Sequence, residues 1–116
     1  MPITGPPAPF GVWRDGLQDK RAKAAVSARI ARLAEGNFSD SRPIGAGASE
    51  ARIDFGPGYR VYYGVDGANV ILLAGGGKSS QKRDIEIAKA RWQDYKRRKN
   101  DQTRELQKRS SGRPPK

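Results

Sequence analysis

Ala51-Arg52-Ile53-Asp54-Phe55, Gly56-Pro57-Gly58, Tyr59-Arg60-Val61-Tyr62-Tyr63-Gly64-Val65, Asp66-Gly67 and the run from Asn69 to Ala74 follow one another in the middle of the chain. Their reading decides the fold. The first segment alternates polar and apolar residues, the period of a half-buried strand. Gly56-Pro57-Gly58 is a turn. The segment from Tyr59 to Val65 is rich in β-branched and aromatic residues, which suit a pleated surface. Asp66-Gly67 is a tight hairpin signal. The last segment is apolar from Val70 to Ala74, as expected of a strand covered on both faces. Three strands joined by short turns predict an antiparallel meander.

Upstream, Phe10, Val12, Trp13 and Leu17 give a short apolar stripe that predicts one or two helical turns ending near Gly16. Asp19 can cap a longer helix, in which Ala22, Ala25, Val26, Arg29, Ile30, Leu33 and Ala34 recur at three- and four-residue steps. Gly36-Asn37 ends it with a left-handed stop signal. The two helices form a hairpin that needs an apolar sheet to lie on. Before them, Pro2, Gly5, Pro6, Pro7 and Pro9 argue against a strand or helix, because proline donates no amide hydrogen bond. Downstream, Gly75-Gly76-Gly77 breaks the strand pattern. Ser79 or Ser80 opens a last helix from about Gln81 to Lys99, with Ile85, Ala88, Trp92 and Tyr95 on its inner face.

The expected class is therefore α+β: an N-terminal helical hairpin packed on a small antiparallel β-meander, followed by a C-terminal helix. The expected organisation is a Pro-rich segment over 1–9, one domain over 10–99 and a basic, disordered tail over 100–116.

The 116 residues carry 23 Lys+Arg against 12 Asp+Glu, a net charge of +11, with no Cys and no His. Residues 1–90 contribute a net +4 and residues 91–116 a net +7, so most of the excess lies in the last quarter. Such a charge favours polyanionic partners. The missing residue types exclude disulfides, a Cys nucleophile, a Cys/His zinc site, a Ser-His-Asp triad and imidazole acid–base chemistry. No metal and no cofactor are expected. The longest apolar run is far too short for a membrane span and no leader is visible, so no membrane association and a cytoplasmic location are expected.

Several uncommon strings occur together in one order. They are Pro9-Phe10, Trp13 and Leu17-Gln18-Asp19, then Gly36-Asn37-Phe38-Ser39-Asp40 and Pro43-Ile44-Gly45-Ala46-Gly47. Glu50-Ala51-Arg52-Ile53 and Gly56-Pro57-Gly58-Tyr59-Arg60-Val61-Tyr62-Tyr63 follow, then Leu72 to Gln81 and Asp84-Ile85 with Ala88. In these, over about residues 9–96, the chain resembles the RelE/ParE toxin superfamily, and most closely its HigB-like addiction module killer proteins. It departs from them in three places. The family usually opens with a β-strand where this chain has its prolines, so a first strand is expected to be lost or supplied otherwise. Gly77 stands where the family usually has Asp, and Ala51 where it usually has Leu.

The resemblance implies the toxin of a type II toxin–antitoxin system: a metal-independent endoribonuclease that cuts mRNA, commonly at the ribosome, and so inhibits translation. It implies a cognate antitoxin, usually a small helix-turn-helix protein. The ParE side of the superfamily implies a different activity, non-enzymatic inhibition of DNA gyrase. The departures leave a third alternative, an inactive relative that only binds antitoxin or nucleic acid.

Strand alternation then selects residues. Glu50, Arg52 and Asp54 share the face opposite Ala51, Ile53 and Phe55, and an antiparallel partner can bring Arg60 and Tyr62 to that face. Lys78 can close over it from the glycine loop. In RNA cleavage without a metal, the substrate's own 2′-hydroxyl attacks the phosphate. The protein must take up one proton, offset charge on phosphorus-bound oxygen and protonate the leaving oxygen. Arg60 is expected on the phosphate, since a guanidinium fork binds two oxygens. Arg52 would support it, Lys78 would stabilise charge or act as the acid, and Glu50 is the expected general base. Tyr62 could stack on a base or orient a phosphate. Gln81, Arg91, Lys96 and Arg97 extend the expected substrate-binding set along the last helix.

Overall fold

The computed structural model describes residues 3–4, 10, 13–56 and 58–111. Its sheet has five strands: β1 (Ile3–Thr4), β2 (Ser41–Gly45), β3 (Ala48–Ile53), β4 (Tyr59–Asp66) and β5 (Asn69–Gly77). Their spatial order is β1-β5-β4-β3-β2. The four strands β2 to β5 form an antiparallel meander, and β1 joins its edge parallel to β5, with Ile3 opposite Val70 and Thr4 opposite Ile71. Helix α1 (Lys20–Ala34) precedes the meander and helix α2 (Gln81–Ser111) follows it. The α+β class and the order of helices, meander and helix are as expected.

Three expectations are corrected. The first strand is present: Ile3 and Thr4 lie ahead of the cluster Pro6, Pro7 and Pro9, so their pairing with β5 needs no amide that proline lacks. The meander has a fourth strand, β2, which contains Pro43; as the outermost strand it tolerates a residue that cannot donate to a neighbour on both sides. Helix α2 does not stop near Lys99 but continues to Ser111, covering much of the segment expected to be disordered. The remaining expected tail, 112–116, and most of the expected Pro-rich segment lie outside the described residues.

Local chemistry accounts for the elements. Asp19 caps α1, its Oδ1 accepting the Arg21 amide at 2.9 Å. Gly36 ends the helix at φ 83°, where its amide and that of Asn37 return to the carbonyls of Leu33 and Arg32. The β2–β3 turn places Ala46 and Gly47 at positive φ, and the β4–β5 turn uses Gly67 at φ 58°. A bulge between Tyr62 and Tyr63 leaves Leu73 as an extra residue on β5.

The sheet is buried on both faces. On one, Val26 and Leu33 of α1 pack with Phe10, Ala51, Ile53, Val61, Tyr63, Val70 and Leu72. On the other, Ala88 and Trp92 of α2 pack with Ala48, Tyr62, Ile71, Leu73 and Ala74. Trp92 needs Gly64: a Cβ there would sit 2.6 Å from its ring. Trp13 lies over Gly75 in the same way on the α1 face. Trp92 is thus a core residue, and Trp13 packs, partly buried, against the other core.

Candidate functional site

The register brings the expected residues to one face. Arg42, Glu50, Tyr62 and Ala74 form one row across β2 to β5, and Arg52, Arg60 and Gly76 form the next row toward the strand ends. The first turns of α2 cover Glu50, Tyr62 and Ala74 and, through Asp84, Gly76, whereas Arg42 and Arg52 stay exposed.

Glu50, Tyr62 and Ala74 are therefore interior. Glu50 is completely buried and both its oxygens are engaged. Oε1 accepts from Arg42 Nε at 2.9 Å, while Oε2 accepts from Gln81 Nε2 at 3.0 Å and lies 3.7 Å from Arg60 Nε. Tyr62 is also completely buried. Its hydroxyl faces the Glu50 carboxylate without meeting full hydrogen-bond geometry. Burial, then the Glu50 charge, pushes the phenol well above its usual range. Asp84, on the first turn of α2, is buried against Gly76 and accepts from Ser80 Oγ at 2.5 Å. A side chain at Gly76 would occupy the place of this carboxylate.

Arg52 and Arg60 of the outer row line a recess of about 380 Å³ at the end of the sheet where β2 begins, β3 ends, β4 begins and β5 ends. Arg52, Arg60 and Lys78 reach it, as do Asp40, Asp54, Tyr59 and the glycines of the β3–β4 turn. Arg52 and Lys78 are exposed, whereas the Arg60 side chain retains only 12% of its accessible surface. Arg60 Nε and Nη1 are buried without a hydrogen-bond partner. Nε lies toward Glu50, 3.7 Å from its Oε2, and the guanidinium borders the recess, where its charge suits an oxyanion. Asp40 holds the outer wall, with φ 56° and a carbonyl that accepts the Arg52 amide at 3.1 Å.

Of the expected catalytic set, the structure brings Arg52, Arg60 and Lys78 together and places Glu50 behind them. The expected substrate-binding set is dispersed. Tyr62 is covered by α2 and offers no face for stacking, and Gln81 is bound to Glu50. Arg91 Nη1 donates to the Leu73 carbonyl at 2.6 Å, which ties α2 to β5. Lys96 lies over the Trp92 ring and donates to the Ala46 carbonyl, and Arg97 is exposed and pairs with Asp94. Two residues outside the expected set enter here. Arg42 shares Glu50 with Arg60, a role hidden by its place beside Pro43. Asp54 lines the recess; its alternation with Arg52 was the available signal.

Among the described residues, no helix is long and apolar enough to cross a membrane. No family model matches the chain. No solved structure matches it either. It is 51% identical over 81 residues to an uncharacterized protein of Haemophilus influenzae, a match covering 69% of this chain and 82% of that protein.

Proposed function

The chain belongs to the same family as that Haemophilus influenzae protein, and we propose that it is a RelE/ParE-like toxin of a type II toxin–antitoxin system, acting as an mRNA endoribonuclease that inhibits translation. The observation that carries this reading is the convergence of Arg52, Arg60 and Lys78 on one recess. A phosphodiester seated there would satisfy Arg60 through its non-bridging oxygens. Arg52 and Lys78 would offset the charge that grows as the 2′-oxygen attacks, and Lys78, on the loop after β5, would give a proton to the leaving oxygen. The sequence resemblance supports the same assignment, including a helix-turn-helix antitoxin as partner. Basic residues on α2, Arg97, Arg98 and Arg104, are exposed and suit contact with the RNA backbone of mRNA or ribosome.

Expression without antitoxin should arrest growth and leave mRNA cut within translated regions, mapped by primer extension. Arrest with intact mRNA and damaged DNA would point instead to gyrase. Unimpaired growth would leave a binding module.

A further inference from the structure

Cleavage by the 2′-hydroxyl needs a proton acceptor that reaches the recess. Glu50, the carboxylate favoured by sequence, does not: it is fully buried, and Arg42, Gln81 and Arg60 occupy its oxygens. Two carboxylates do line the recess, Asp40 and Asp54. They are not equivalent. Asp40 precedes β2 in a left-handed backbone conformation, off the strands that carry Arg52 and Arg60. Asp54 leaves β3 two residues after Arg52. It is exposed and makes neither a hydrogen bond nor an ion pair among the described residues. It is an uncommitted carboxylate on the wall that also carries Arg52 and Arg60.

Resting on the reading of the recess as a phosphodiester site, we propose that Asp54 is the catalytic residue that accepts the 2′-hydroxyl proton. As the O2′–P bond forms, that proton passes to an Asp54 carboxylate oxygen. As the P–O5′ bond breaks, the leaving oxygen takes a proton from the Lys78 ammonium. The products are a 2′,3′-cyclic phosphate and a 5′-hydroxyl, and one proton has moved from the ribose to Asp54 and one from Lys78 to the leaving group.

The test uses the full chain in a bacterial translation extract programmed with a defined mRNA. Cleavage is followed by primer extension at saturating protein, and affinity is measured separately on the same mRNA carrying 2′-deoxyribose at the cut position. Asp54→Asn should slow cleavage by about 100- to 10,000-fold, the usual span for a lost acid or base, and leave affinity unchanged. Asp54→Glu should recover part of the rate. Wild-type cleavage with an equally fast Asp54→Asn variant would overturn the assignment and leave the site standing. An Asp54→Asn variant that binds more weakly but cleaves normally once saturated would overturn it too, since Asp54 would then recognise RNA rather than accept a proton. A wild-type chain that cuts no mRNA would overturn the endoribonuclease reading itself, and this proposal with it.

Discussion

Arg60 Nε lies 3.7 Å from Glu50 Oε2, and of the two side chains only Arg60 reaches the recess. Glu50 sits in the interior with both oxygens in use, so it holds Arg60 from behind and leaves the outer edge of the guanidinium for a ligand. Removing the carboxylate leaves a largely buried guanidinium with fewer partners and frees Arg42 to turn to water. Glu50→Ala should cost about 2 kcal/mol, toward the low side for a broken buried pair because Arg42 is largely exposed. The urea midpoint reports this loss, and Lys78→Ala, an exposed change, is the control that should leave it unmoved.

The packing of Trp92 on Gly64 makes a second expectation. A methyl group at Gly64 meets the indole ring at 2.6 Å, and both residues are buried between α2 and the sheet. Gly64→Ala should destabilise by about 1–3 kcal/mol through overpacking. Thermal unfolding measures it, and tryptophan fluorescence should shift as Trp92 is displaced. An unchanged midpoint would mean that α2 does not rest on the sheet as described.

High pH should act through two phenols. Burial, then Glu50, raises Tyr62, and burial, then the hydrogen bond to Asp66, raises Tyr95. Each stays protonated in the folded chain above the pH where the unfolded phenol, near 10, has ionised. The folded state then binds more protons, so stability falls as pH rises beyond about 10. Tyr62→Phe should flatten that limb in a plot of unfolding midpoint against pH.

Low pH should act through Asp66. The Lys99 and Tyr95 hydrogen bonds hold its carboxyl below the usual range. Its contribution is present above the unfolded value, near 3.9, and is lost as pH falls through the lower folded one. Asp66→Asn should remove this part of the acid sensitivity and loosen α2 near Lys99, visible as faster amide exchange there.

How much of this was legible in the sequence follows from how local each signal is. The strands β3 to β5 were readable because alternation, β-branched residues and two glycine-containing turns lie within one stretch. Strand β2 was not, because Ser41-Arg42-Pro43 reads against a strand, and only its outermost position makes Pro43 acceptable. Strand β1 is two residues long and pairs with β5 across most of the domain, a contact that leaves no local pattern. For the site, alternation correctly put Glu50, Arg52, Arg60 and Tyr62 on one face. It could not tell that α2 returns over the inner half of that face, because Trp92 and Ala88 show only that the helix has an apolar side. Glu50 and Tyr62 are thus interior, and Arg52, Arg60 and Lys78 remain at the open end.

The central claim is that this open end binds and cleaves RNA through Arg60. The direct measurement is the rate of mRNA cleavage by Arg60→Ala in a translation extract, at saturating protein and with folding verified by circular dichroism. Loss of a charge-stabilising group of this kind should slow cleavage by at least about 100-fold. A folded Arg60→Ala chain that cuts mRNA at the wild-type rate would contradict the site.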